Sequence, residues 1–391
     1  MNASLQEIAT SAPVLFEERA VANGRKLGIA TLNAPATLNG LSLEMATLLD
    51  AQLASWAGDA SVALVVLQGE GEKAFCAGGD LHGLYRGMSQ YRAAGGGDIR
   101  NNAQASEFFA TEYRLDYRIH TYPKPLLCWG HGIVMGGGIG LMAGASHRVV
   151  SERSRLAFPE ITVGLYPDVG GSFLLNRVPR RAGLFLALTG APLNAGDAIY
   201  AGLADHYVPE AQRGAVYADL VTAAWSGDAA RDRDLLSGLL RARGEAAPAG
   251  PLQQHARLVE TLCNAEDLPT VVSRIDALET DDAWLQTARK TLAAGAPGSA
   301  RLGYELQRRA ATLSLADTFR LEYLVSLQCA AHGDFAEGIR ALLIDKDRNP
   351  RWNPAALADA DAAWADAFFI APWADDAHPL SALEASTENR A

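Results

Sequence analysis

The sequence predicts an α/β protein whose C-terminal region is mainly helical. Two observations carry that reading. Between Val14 and about Val208, short apolar runs of strand length alternate with helical ones. Beyond Pro209, residues 211–335 are rich in Ala, Leu, Arg and Glu, with almost no β-branched runs. At 391 residues the chain is long enough for two domains or one large domain with an appendage. The change in composition draws the boundary, giving a core over residues 12–210 and a helical region over 211–391.

The elements follow in order. LGIATLN (Leu27–Asn33) reads as a strand. SLEMATLLDAQLASW reads as a helix to Trp56 with Ser42 as its N-cap. ALVVLQG (Ala63–Gly69) is a buried-strand run. PLLCWGHGIV (Pro125–Val134) is expected to be one strand, after which MGGGIGLMAGA opens a helix. HRVVSE and RLAF give two further short strands. GEAAPAGP (Gly244–Pro251) interrupts the helical half, and the residues after Pro379 read as frayed. No repeat or low-complexity tract occurs.

Composition excludes several classes. Hydrophobic residues make up 49% and charged residues 20%, which is ordinary globular usage. A net charge of -11 argues against nucleic acid and anionic membranes as partners, although it leaves room for a small basic pocket. Cys76, Cys128, Cys263 and Cys329 are far apart and form no C-x-x-C pair, so neither a disulfide nor a zinc framework is expected. MNASLQEIATSAP has no basic segment followed by an apolar one, hence no secretory signal. The most membrane-like run, Gly132–Ser146, is too short and too glycine-rich to span a bilayer. A soluble cytoplasmic protein is expected.

The glycine segments AFCAGGDL (Ala74–Leu81) and GHGIVMGGGIGL (Gly130–Leu141) fail the strict G-x-G-x-x-G fingerprint and the P-loop pattern. Glycines also let a ligand approach backbone N–H groups closely, and two such donors from separate loops hold a developing oxyanion. The simpler reading is packing, since Gly136, Gly140 and Gly144 recur every four residues. No G-x-S-x-G or H-E-x-x-H occurs. DKDRNP (Asp345–Pro350) starts like a calcium loop, but Pro350 replaces the required glycine. His131, with no carboxylate nearby in sequence, reads as structural.

FPEITVGLYPDVGGSF (Phe158–Phe173) places Glu160 and Asp168 among apolar residues, prolines and glycines. A buried carboxylate shifts its pKa or finds a partner, so these acids are either satisfied structurally or used. Pro159, Pro167 and Gly164 forbid one continuous helix across them. Fully extended, the segment would hold the acids as much as roughly 26 Å apart. A turn at Val163-Gly164 would instead bring them to opposite sides of one pocket.

In this order and spacing, AFCAGGD, GHGIVMGGGIGL and FPEITVGLYPDVGG resemble the crotonase (enoyl-CoA hydratase/isomerase) superfamily. The PDVGG aspartate, the acidic segment FFATEY (Phe108–Tyr113) and the tail Leu321–Leu357 are similar to its hydrolase branch. The resemblance implies a crotonase-like ββα spiral core followed by the helical region. It also implies hydrolysis of a short β-hydroxyacyl-CoA thioester, 3-hydroxyisobutyryl-CoA, in valine breakdown. Gly79 and Gly137 would donate N–H groups to the thioester oxygen. Glu160 would serve as general base or as nucleophile, Asp168 would orient the 3-hydroxyl or help deliver water, and Glu112 would hydrogen-bond the substrate. No cofactor is implied, CoA being part of the substrate, and a homo-oligomer is compatible with the family.

Two departures matter. The first glutamate of the hydratase pattern falls on Gly140, which has no side chain, although Glu112 is a conceivable substitute. Ala34 and Ala36 stand where basic residues are common, which weakens a CoA phosphate contact there. The rival readings are enoyl-CoA hydration or isomerisation on the same scaffold, and a CoA-thioester-binding protein without turnover.

Overall fold

The computed structural model describes residues 12–384. Their backbone packs as two compact units that do not follow the change in composition at residue 210. Composition records where strands stop, whereas compactness records what packs with what. Of the described residues, the first unit takes 12–79, 115–156 and 193–250, and the second takes 80–114, 157–192 and 251–384.

Among the described residues of the first unit, nine strands form in chain order: β1 (Val14–Ala20), β2 (Lys26–Leu32), β3 (Val62–Gly69), β4 (Ala74–Cys76), β5 (Leu126–Trp129), β6 (Ile133–Met135), β7 (His147–Val150), β8 (Arg155–Ala157) and β9 (His206–Tyr207). β8 ends one residue beyond the unit's boundary. A six-stranded sheet has the order β1-β2-β3-β5-β7-β9, antiparallel at β1·β2 and parallel elsewhere. β4-β6-β8 form a second, three-stranded sheet.

The crossover from β2 to β3 is the helix Leu43–Gly58, and Ser42 caps it by accepting from the Met45 N–H. Period-2 alternation sends Leu27, Ile29, Leu64 and Val66 to one core. There they meet Val216, Leu220, Leu236 and Leu240 from the helices Arg213–Thr222 and Ala229–Arg243. Gly28 points to the opposite face, where any Cβ would press on the Trp56 indole.

Two local expectations are corrected and a third is extended. The run Pro125–Val134 is not one strand: β5 and β6 belong to different sheets. The break lies at Gly130-His131-Gly132, where Gly132 has φ 59 and a Cβ would strike the Lys73 carbonyl. The residues just past Pro379 are not frayed, because Leu380 and Leu383 are buried. The positions after 384 lie outside the described residues. Close packing of the helix Gly137–Ala143 also uses a glycine outside the four-residue repeat, since a Cβ on Gly138 would overlap the Cys76 carbonyl.

The second unit is helical. Its central helix, Leu315–His332, is buried on nearly every face, with Phe319, Tyr323, Val325, Leu327 and Ala330 against its neighbours. A helix that is apolar all round belongs inside a core, so the polar residues it carries there need partners. Glu322 and Ser326, one turn apart, share a face.

Candidate active site

Glu160 and Asp168 are placed by two tight backbone devices in the second unit. Residues Glu160–Val163 form a single 3-10 turn after Pro159, ended by Gly164 at φ 76. The Leu165 N–H closes back on the Glu160 carbonyl at 3.1 Å. Gly164 is needed twice over, for its left-handed backbone and because a Cβ would overlap Asp334. Past Pro167 the chain turns again: Val169 takes φ 55 and Gly170 φ 81 before the short helix Gly171–Leu175. A β-branched residue in the left-handed region is strained and persists only where its surroundings hold it.

Both acids are 5% exposed, and Glu112, on the helix Ala103–His120, is 2% exposed. Asp168 Oδ2 accepts from the Tyr113 hydroxyl at 2.6 Å. Among the described residues, neither carboxylate oxygen of Glu160 has a hydrogen-bond partner. Burial raises the pKa of Glu160 well above the usual carboxylate range, and the Asp168, Glu112 and Glu322 charges add to that, against a smaller effect of its own backbone N–H. Glu112 is raised by burial and by Asp168. Asp168 is pushed up to about 6 by burial, against the Tyr113 hydrogen bond that favours its ionised form. No Lys or Arg is among the groups that shift these carboxyls. Like charges so placed cannot all ionise at once, so protons leave the cluster in coupled steps.

One acid escaped the sequence reading. Glu322 is 0% exposed and is pushed up to about 8 by burial, against the hydrogen bonds it accepts. Its signal was a lone acid inside an apolar helical run, LEYLVSLQ.

Gly79 and Gly137 lie in the first unit. Gly79 follows β4 and is half-buried, while Gly137 is buried and opens its helix behind Gly136 at φ 48. Among the described residues, neither N–H donates a hydrogen bond. Gly140 is buried inside the same helix.

Other candidates resolve structurally. His131 Nε2 meets the Gly71 carbonyl at 2.8 Å, and burial lowers its pKa. Asp345 and Asp347 of the calcium-loop imitation both pair with Arg340. Among the described residues, no group of His, Cys, Asp and Glu is arranged to hold a metal, and no helix is long and apolar enough to cross a membrane.

Comparison with known proteins gives concordant matches. The enoyl-CoA hydratase/isomerase family matches residues 27–369. The mitochondrial 3-hydroxyisobutyryl-CoA hydrolase of Gallus gallus is 36% identical over 88% of this chain and 86% of its own length. The protein of the same name from Danio rerio is 35% identical over 91% of this chain and 89% of its own. A solved enoyl-CoA hydratase from Rhodobacter sphaeroides is 36% identical, with a TM-score of 0.78 over 92% of this chain and 97% of its own. The core therefore has the crotonase fold, with the helical region continuing beyond it. The expectation of a cytoplasmic protein is corrected, because both vertebrate relatives are named mitochondrial.

Proposed function

Because the chain belongs to the enoyl-CoA hydratase/isomerase family, we propose that it is an acyl-CoA thioester hydrolase converting 3-hydroxyisobutyryl-CoA to 3-hydroxyisobutyrate and CoA. One observation of the structure supports this most directly. Glu160 is buried with both oxygens unpartnered, beside a second carboxylate. A structural glutamate in that position would be satisfied, because an unpaired buried carboxylate is costly. A desolvated one is a strong base or nucleophile once ionised.

In the proposed reaction, the Glu160 carboxylate either takes a proton from water as that water attacks the thioester carbonyl, or attacks the carbonyl itself to give a mixed anhydride that water then opens. In both routes the C–S bond breaks, a C–O bond to the water oxygen remains, and the departing sulfur ends as thiol. Gly79 and Gly137 donate N–H groups to the carbonyl oxygen as it gains charge. Such a donor contributes about 3 kcal/mol to the barrier reduction. Asp168 orients the 3-hydroxyl, and Glu112 hydrogen-bonds the substrate. CoA is consumed as part of the substrate, no cofactor is required, and the step belongs to valine breakdown.

Hydration of an enoyl-CoA is the second reading, favoured by the charge of Glu112 acting on Glu160. Gly140 counts against it, since the helix that supplies the other hydratase carboxylate has no side chain there. Glu160→Gln is expected to abolish thiol release while far-UV circular dichroism and Tm stay near wild type. Wild-type turnover in that variant would remove Glu160 from the chemistry.

A further inference from the structure

Asp168 sits in a closed ring of hydrogen bonds, and the helix Leu315–His332 supplies two of its corners. The Glu322 carboxylate accepts the Gly170 N–H on Oε2 at 2.7 Å and the Ser172 N–H on Oε1 at 2.8 Å. These amides lie two and four residues beyond Asp168, across the strained Val169. The Tyr166 hydroxyl, two residues before Asp168, donates to the Glu322 carbonyl at 2.7 Å and also meets Ser326 Oγ at 2.8 Å. Ser326 Oγ lies 2.9 Å from the Tyr113 hydroxyl, which in turn donates to Asp168 Oδ2. The loop is thus gripped on both sides of Asp168, and the acid itself is gripped at one oxygen.

The geometry points to Glu322 as a positioning residue for the reaction. Its two oxygens hold the Gly170 and Ser172 amides, which fixes the left-handed turn at Val169 and so aims the Asp168 carboxylate. Glu322 touches no reacting atom. A side chain that merely filled space would not be an acid, since burying a carboxylate without a cation is costly. It is retained where it has a geometric task, and here that task is to satisfy two amides that a strained turn leaves without ladder partners.

This inference rests on the thioesterase reading, and a double-variant cycle separates the two. Thiol release is measured for the wild type, Glu322→Gln, Asp168→Asn and the double variant. Gln keeps the shape but offers one acceptor where two amides need one each. Alone, Glu322→Gln is expected to lower kcat by about tenfold to a hundredfold with KM changed little, since small misplacements of a reacting group cost that much. In the Asp168→Asn background the same change is expected to cost less than about twofold, because its effect passes through Asp168. Equal losses in both backgrounds would overturn the positioning role and leave the thioesterase reading intact. No thiol release from the wild type would overturn the thioesterase reading, and this inference with it. Should Glu322→Gln not fold, Ser326→Ala, which opens the other side of the ring, is carried through the same cycle with the same expectation.

Discussion

At the scale of single residues, the acids in the second unit are buried at a cost in stability. Asp168 titrates at about 6 in the folded protein because it is buried. In an unfolded chain an aspartate titrates near about 3.9. The folded state therefore binds the extra proton, and the stability linked to it is full below about pH 4 and lost as pH rises through 6. Asp168→Asn keeps an acceptor for Tyr113 and removes the titration, so its Tm is expected to exceed that of wild type at pH 8. The gap should close as pH falls toward 4. A variant less stable than wild type at pH 8 would mean that the ionised acid is well accommodated. Such a trade between stability and activity is common where a site needs a group its surroundings disfavour.

At the scale of elements, the glycine helix makes the sharpest demand. Gly138 leaves no room for a Cβ against the Cys76 carbonyl, a backbone atom that cannot rotate away. Gly138→Ala is expected to destabilise the fold by about 1–3 kcal/mol in urea titration. It should also lower kcat by shifting the Gly137 N–H beside it. Full activity at reduced stability would separate this helix from the chemistry.

Much at this scale was legible in the sequence. Ser42, the helix behind it and the apolar runs of β2 and β3 follow local chemistry, and they appear where that chemistry puts them. Three features were not legible. β5 and β6 read as one strand because Gly132 hides its left-handed backbone in an apolar run. β1 was missed because VLFEERA is half polar, its outer end standing exposed. Glu322 was missed because the amides it accepts lie 152 and 150 residues away, and no local pattern records them. Glu160, Asp168 and Glu112, by contrast, stand in segments that motif order singles out. Their electrostatic coupling belongs to the fold alone, since Glu112 reaches the others from a separate helix.

At the scale of the whole molecule, the formal charge of -11 counts every acid as ionised. The cluster makes that an overcount near neutral pH, because burial and the neighbouring carboxylates raise Glu112 and Glu160 well above the usual carboxylate range. The same protons tie the account together. A molecule that held these acids only for structure would gain from replacing them with apolar residues. One that uses them must keep them desolvated.

The decisive measurement is release of free thiol from 3-hydroxyisobutyryl-CoA, followed with a thiol-reactive dye beside the absorbance of crotonyl-CoA. Rapid thiol release with an unchanged enoyl signal is the expected result. Loss of the enoyl signal without thiol release would contradict the account, and would mean that Glu160 works with Glu112 to add water.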